Sequence, residues 1–212
     1  MKKVLLMTML VAVASLFTAC ENPNTKLAQS LVGTWDGSNY FDDEAVDAEY
    51  QFFACDENNS GKFVEVNHLS FSDEVDGIEY ELPYLAFVGG TYTVKDGSLV
   101  LVYDTETAGV HFYEDPVSDY VNAYLTYDRE KGEGAWVEDS PESVIEYFIA
   151  SRTDSFGEVW AEMCEDYNSN NSNATGYGEL KVDEKTMSYH TSDLGTLKYT
   201  RDTENWFEEY PF

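Results

Sequence analysis

Hydrophobic and polar residues alternate along most of the chain from position 31 onward. Ala48, Tyr50 and Phe52 fall on one face of such a segment, and the intervening Glu49 and Gln51 fall on the other, as a half-buried strand requires. The same period of two predicts strands at 31–37, 47–54, 62–71, 77–87, 90–95, 98–103, 109–113, 120–127, 179–182, 186–190 and 196–201, with a less regular one at 134–137.

Short polar turns separate these strands. The clearest is Lys95-Asp96-Gly97-Ser98, which holds the Asp and Gly that tolerate the positive φ of hairpin turns. Because short connections pair neighbouring strands, the sequence predicts a mainly β, antiparallel up-and-down meander. A meander of eight or more strands protects its edges most simply by closing into a barrel, although strand patterning also fits a two-sheet sandwich.

One segment has the helical period instead. Ser140 followed by Pro141 and Glu142 is typical of an N-cap, a first helical position and an acidic first turn. Apolar residues then recur three and four positions apart as far as Cys164. The pattern predicts one helix at about 141–164, packed outside the barrel before the last strands.

The first twenty residues have the pattern of an export signal. Lys2 and Lys3 precede an uncharged apolar run that ends at Phe17, too short to span a bilayer comfortably. The ending of this run resembles a bacterial lipobox, in which cleavage exposes a lipidated Cys. We therefore predict a lipoprotein signal peptide at 1–19 and a polar tether at 20–30. Cys20 would carry the attached lipid, such as palmitate. Secretion without an anchor is the alternative.

Charge restricts the partners. The 212 residues carry 12 Lys plus Arg against 41 Asp plus Glu, for a formal net charge of −29. Nucleic-acid binding is excluded, because it depends on Lys and Arg displacing counterions from phosphates. Such a surface is also repelled by anionic lipid, so contact with the membrane would be through the lipid anchor only. These features predict a lipid-anchored protein of the cell outer membrane, on either the periplasmic or the exterior face.

Residues at both ends of the predicted barrel resemble a known family. Gly33 and Trp35 form the Gly-x-Trp signature that begins the first strand of lipocalins and of lipocalin-like lipoproteins of Bacteroides-type bacteria. Arg201 stands where that family has a basic residue across the same indole. The resemblance implies a lipocalin-like β-barrel domain at 31–212, with Gly33, Trp35 and Arg201 closing one end. A guanidinium stacked on an aromatic face stabilises by about 0.5–2 kcal/mol.

Catalytic chemistry is not indicated. His68, His111 and His190 form no paired metal motif, and no nucleophile elbow or phosphate-binding loop occurs. We therefore predict no catalytic residues, no metal, no cofactor and no enzymatic activity, with an acid-dependent hydrolase as the weakest alternative. The loop from Asp56 to Gly61 has part of the spacing of a calcium loop but lacks its closing acid, which favours a plain hairpin loop over calcium binding.

Two cysteines remain after Cys20. Cys55 and Cys164 would form a disulfide in an exported chain, although two buried free thiols fit the sequence equally well. A bridge would pin the helix to the barrel.

Two functions fit these features. The first is a lipid-anchored binding protein that holds a small apolar or amphipathic ligand inside the barrel, as barrels of about eight strands do. Tyr80, Tyr84 and Tyr92, with Phe87, would either line such a pocket or simply fill strand faces. The second is an interaction lipoprotein whose acidic, Tyr-rich exterior binds a glycan or a protein partner.

Overall fold

The computed structural model describes residues 22–41, 44–132, 134, 136, 139–173, 178–191 and 195–202. Its three helices are α1 (Pro23–Leu31), α2 (Glu114–Lys131) and α3 (Pro141–Asn173). Its strands are β1 (Gly33–Phe41), β2 (Glu44–Phe52), β3 (Ser60–Val75), β4 (Ile78–Lys95), β5 (Ser98–Phe112), β6 (Gly178–Val182), β7 (Thr186–Thr191) and β8 (Gly195–Asp202).

All eight strands belong to one antiparallel sheet, in the order β5-β4-β3-β2-β1-β8-β7-β6. The first and last strands are neighbours, with Trp35 opposite Arg201 in their register. On its other side β1 pairs with β2, which places Trp35 opposite Tyr50. The sheet, with this up-and-down strand order, is curled into a lipocalin-like half-barrel, which confirms the predicted fold class.

The two ends of the sheet, β5 and β6, come together at one end of the barrel. There the Leu180 backbone N–H donates to the carbonyl of Gly97, in the turn between β4 and β5. Farther along β5, the Asn168 side chain of α3 donates to the Tyr103 carbonyl and accepts from the Tyr103 N–H, each at 2.8 Å. Asn168 thus forms both hydrogen bonds that a neighbouring strand would make with Tyr103.

Helix α3 covers the inner face along β5. Its Phe156 ring lies 5.2 Å from the Tyr84 ring and 5.6 Å from the Phe112 ring, between centroids. The sequence predicts this helix outside the barrel at 141–164; the structure extends it to Asn173 and places it across the open side of the half-barrel. Ser140 is its N-cap, accepting from the Ser143 N–H.

Helix α2 occupies a segment that the sequence predicts as a strand. The predicted strand at 120–127 is wrong, because this segment belongs to α2. Val117, Val121 and Leu125 are all buried, and they lie on one helical face at a spacing of four. The high strand propensity of Tyr, Val and Thr misled the sequence interpretation, and helix packing overrides that propensity. The predicted strand at 134–137 lies partly outside the described residues.

The predicted tether also proves to be structured over 23–30. Asn22 caps α1 by accepting from the Asn24 N–H, and Pro23 occupies the first helical position. Ala28 and Leu31 are buried in the core, so α1 is part of the folded domain and covers the closed end of the barrel. Within the described ranges, no helix combines the length and apolar character needed to cross a membrane.

Several predicted strands are segments of longer ones. The predicted strands at 77–87 and 90–95 form the single strand β4, and those at 98–103 and 109–113 form β5. A register shift between β4 and β5 falls between Phe87 and Gly89. The polar or glycine-containing interruptions of the sequence pattern are therefore irregularities within strands, which a period of two cannot distinguish from turns.

Candidate functional site

The closed end of the barrel is built around Trp35, whose side chain is fully buried. Its indole N–H donates to the carbonyl of Leu31 at 2.7 Å. The Arg201 guanidinium lies over the indole at 4.1 Å from the ring centroid. The first residues of β1 and the last residues of β8 therefore meet in one stacked pair, and α1 lies next to it.

Backbone carbonyls hold Arg201 over the indole. Its Nη1 donates to Val32 at 2.8 Å, its Nη2 to Ser30 at 2.7 Å and its Nε to Glu184 at 3.1 Å. Gly33 has a φ of 130°, and a Cβ there would lie 2.5 Å from Arg201 Nη1. A side chain at position 33 would therefore displace the guanidinium, which explains why the arrangement needs glycine.

A buried polar cluster, formed by Asn39, Tyr50, Glu65, Asn67 and Tyr103, fills the middle of the barrel. Glu65 is 3% exposed. Asn39 and Asn67 each donate to Glu65 Oε1 at 2.9 Å, and the Tyr103 hydroxyl donates to Oε2 at 2.8 Å. Burial raises the pKa of Glu65, and these hydrogen bonds oppose that shift.

The buried polar cluster continues into β7 and β8. The Tyr199 hydroxyl donates to Asn39 Oδ1 at 2.7 Å and lies 3.0 Å from the Tyr189 hydroxyl. Sequence reasoning missed this cluster. Its signal was present in β3, where Glu65 and Asn67 share the parity of the buried Phe63 and therefore face the interior.

An aromatic layer lies between the buried polar cluster and the closed end. It includes Phe52, Phe63 and Tyr92, all at most 1% exposed. The Tyr92 ring meets the Phe52 ring edge-on at 5.2 Å, and the Tyr92 hydroxyl donates to the carbonyl of Phe53. Side chains rather than open space occupy the barrel at this level and at the level of Glu65.

The candidate site is a cleft at the end opposite Trp35, which we call the β2–α3 cleft. It has a volume of about 740 Å³. The β2–β3 ladder covers Ala48–Phe52 of β2, and the preceding residues 44–47 face the 68–70 segment of β3 across the cleft. Helix α3 and parts of β4 and β5 form the remaining wall.

Apolar and acidic side chains occupy different parts of the β2–α3 cleft. Its apolar wall comes from β3, β4, β5 and α3, and includes Leu69, Tyr84, Val110, Phe156, Trp160 and Met163. The Trp160 indole N–H donates to the carbonyl of Phe87 at 3.0 Å, which orients that side chain. Glu44, Asp47 and Glu81 are exposed and line the cleft at its rim. The cleft is therefore amphipathic.

His68 also lines the β2–α3 cleft, and its Nε2 lies 2.9 Å from Glu49 Oε1. The hydrogen bond to Glu49 raises the pKa of His68 above its ordinary value, and partial burial opposes this. The pair therefore stabilises the fold below the ordinary histidine pKa, and this contribution disappears as pH rises through the raised value.

We expect Glu49→Gln to lower the pKa of His68, because the substitution removes the carboxylate that favours the imidazolium. Titration of the His68 ring signals by NMR measures the change directly. Glu79→Gln, on a strand not paired with β2, is the matched control and should leave the titration unchanged. An unaltered His68 titration in Glu49→Gln would show that another group sets its pKa.

The tyrosines chosen from the sequence are distributed among different environments. Tyr84 lines the β2–α3 cleft, whereas Tyr92 lies in the aromatic layer. The Tyr80 ring stacks edge-on against Tyr120 of α2. The Phe87 side chain packs on the outer face against the small buried cluster of Val66 and Leu85. One tyrosine of the three therefore contributes to the candidate site.

The predicted disulfide is not formed: Cys55 and Cys164 are both free. Cys55 follows β2 and lies beside the Tyr92 hydroxyl. Cys164 is a fully buried residue of α3 near Glu65, and burial raises the pKa of its thiol to about 12. The two thiols lie at different levels of the barrel. Cys164 is near Glu65, whereas Cys55 is near Tyr92, which pairs with Gly61, four positions before Glu65 on β3.

The other sequence candidates can also be located. The Asp56 carboxylate accepts from the N–H groups of Asn58 and Ser60, which lowers the pKa of Asp56 and fits a turn. Among the described residues, no three His, Cys, Asp or Glu side chains are grouped as metal ligands would be. The predicted signal peptide and Cys20 lie outside the described residues.

Comparison with known proteins adds no family assignment. No family model matches the chain, and no curated protein matches it.

Proposed function

We propose that this protein is a binding protein of the cell envelope that holds a small apolar or amphipathic molecule in the β2–α3 cleft. The observation that carries the proposal is the cleft itself. Its volume of about 740 Å³ falls within the range of about 300–1,000 Å³ that is usual for ligand sites. The exposed lining of the cleft is divided between apolar and polar surface, which suits an amphipathic molecule in particular.

The filled interior determines where the ligand would bind. The aromatic layer and the buried polar cluster occupy the space that a ligand would need at the centre of the barrel. The ligand therefore binds at the open end, between β2, β3 and α3. The proposal includes no chemical step, and Glu65 keeps a structural role under it.

The envelope location rests on the sequence pattern. The charged start, the short apolar run and the Cys at position 20 support export and attachment to the outer membrane by lipid. Two or three acyl chains would hold the acidic domain stably beside the bilayer. Radiolabelled palmitate incorporation tests this, since Cys20→Ala should abolish labelling.

Binding is tested with an uncharged fluorescent naphthylamine probe and the full chain. We expect saturable fluorescence enhancement at one site. Val159 lines the cleft and is 57% exposed, so Val159→Asn should weaken binding about threefold to tenfold by removing apolar contact. Val102, 50% exposed on β5 and outside this cleft, provides the matched control Val102→Asn, which should bind as the unaltered protein does.

Two outcomes would overturn the proposal. Absence of saturable enhancement would remove the cleft as a binding site for apolar molecules and would favour an interaction protein acting through its exterior. An equal loss in Val159→Asn and Val102→Asn would show that the probe binds at some other surface.

A further inference from the structure

The ionisable groups of the β2–α3 cleft are strongly unbalanced in charge. Among the described residues that line it, Glu44, Asp47 and Glu81 are acidic and none is Lys or Arg. His68 is the one basic residue among those described lining residues, and its Nε2 lies 2.9 Å from Glu49 Oε1. When His68 is protonated, this pair is neutral and the three rim carboxylates still set the sign of the local potential.

The nearest basic residue on α3 points elsewhere. The Arg152 guanidinium lies over the Phe71 ring at 5.5 Å and over the Phe148 ring at 5.3 Å. Arg152 therefore contacts aromatic rings beside the cleft and does not belong to its lining. The net charge of −29 means that more distant groups reinforce the negative potential on average.

The aromatic part of the apolar wall suits the alkyl end of an amphipathic ligand. Tyr84, Phe156 and Trp160 line the cleft and give its wall large apolar surface. The edge-on contact of Phe156 with Tyr84 and the hydrogen bond from Trp160 to Phe87 hold these side chains in place. Fixed rings need little reordering when a ligand arrives, which favours binding.

We propose that the β2–α3 cleft selects amphiphiles with a positively charged headgroup, namely alkylammonium compounds, and this inference rests on the proposed function. The alkyl chain lies against Leu69, Val110 and Met163. The ammonium group remains at the rim, near the carboxylates of Glu44, Asp47 and Glu81, where it keeps part of its hydration. An alkyl carboxylate of the same length fits the apolar wall but is repelled at the rim.

The test compares three ligands that share one dodecyl chain: dodecylammonium, dodecanol and dodecanoate, each below its micelle concentration. Competition with the uncharged naphthylamine probe on the full chain gives the three dissociation constants. At low salt we expect dodecylammonium to bind about tenfold more tightly than dodecanoate, with dodecanol between them. About 0.5 M salt should reduce the ratio to about threefold or less, because it screens exposed charges.

Substitutions locate the origin of this preference. In the combined variant Glu44→Gln, Asp47→Asn and Glu81→Gln, the affinity ratio of dodecylammonium to dodecanoate should fall to the value that the remaining overall charge produces. The dissociation constant of dodecanol should change by no more than about twofold. Glu79→Gln is the matched control, since Glu79 lies two residues from Glu81 on β4 but outside the lining of the cleft. It should leave the ratio unchanged.

The possible failures are distinguishable. Equal binding of all three ligands would overturn the charge selectivity and leave the proposed apolar site in place. A preference that survives the combined variant would assign selectivity to the overall charge instead of the rim. If dodecanol, dodecylammonium and the probe all fail to bind, the proposed function itself is wrong.

Discussion

Replacing Trp35 by alanine is expected to lower the free energy of unfolding by about 3–5 kcal/mol, the usual loss for a buried Trp or Phe replaced by Ala. The indole is fully buried, so the substitution leaves a large cavity at the closed end of the barrel. It also leaves the Leu31 carbonyl without the indole N–H and removes the surface on which Arg201 lies. Urea denaturation followed by far-ultraviolet circular dichroism measures the change.

A graded control separates the contributions at Trp35. Trp35→Phe keeps an aromatic surface under Arg201 but loses the hydrogen bond to Leu31, so we expect a smaller loss of about 1–2 kcal/mol. If Trp35→Ala costs less than about 1 kcal/mol, the closed end does not depend on the indole, and the packing of Trp35 between α1, β1 and β8 would be unimportant for stability.

Replacing Glu65 by leucine is expected to cost about 3–5 kcal/mol, although leucine is apolar and the site is buried. The reason is that Asn39, Asn67 and Tyr103 each donate to the Glu65 carboxyl group, although the Asn39 amide keeps a second acceptor in Asn67 Oδ1. A buried donor left without an acceptor costs about 1–3 kcal/mol. Removal of the buried carboxylate itself is favourable and offsets part of the total cost of the lost hydrogen bonds. Chemical denaturation of the variant at neutral pH gives the value.

Glu65→Gln is the matched variant, since glutamine keeps the shape and an acceptor oxygen without the charge. Burial raises the pKa of Glu65 in the folded protein. A raised carboxyl pKa contributes stability that is fully present below the unfolded pKa and is lost as pH rises through the folded pKa. Relative to Glu65→Gln, the unaltered protein should therefore lose stability as pH rises over this window.

The difference between the two proteins is the decisive quantity, because the other acidic residues change the pH dependence of both equally. Denaturation curves collected at several pH values supply it. A stability difference that stays constant across this pH window would contradict the raised pKa of Glu65. A Glu65→Leu variant as stable as Glu65→Gln would show that the donors of Asn39, Asn67 and Tyr103 find other partners.

Local periodicity in the sequence was sufficient to predict the main architecture. Alternation identifies the inward residues of β2, and Gly33 with Trp35 at the start of β1 and Arg201 in β8 suggests how the ends meet. Signals for α1 were also present, since Asn22 and Pro23 form an N-cap and a first helical position. Their neighbourhood is polar, and only the burial of Leu31 shows that α1 belongs to the domain.

Helix α2 shows where local pattern fails. Several of its residues favour strands by propensity, and its helical conformation is supported by packing. The Tyr120 ring packs at a tilt against Phe148 of α3, and the Tyr120 hydroxyl donates to Asp73 of β3. Such contacts connect residues far apart in the chain. Short-range patterns carry no information about them, because propensity is weak compared with burial.

The candidate site depends still more on distant contacts. Strand parity predicts that Glu65 faces inward, but only the curled sheet brings Asn39 and Tyr103 to its carboxyl group. The β2–α3 cleft likewise arises where β2 and β3 diverge and α3 packs across the opening. Alternation along a strand specifies which side chains are buried, because it follows from backbone geometry alone. Which of them meet is decided by how the whole sheet curls and where the helices pack, and the cleft exists only at that level.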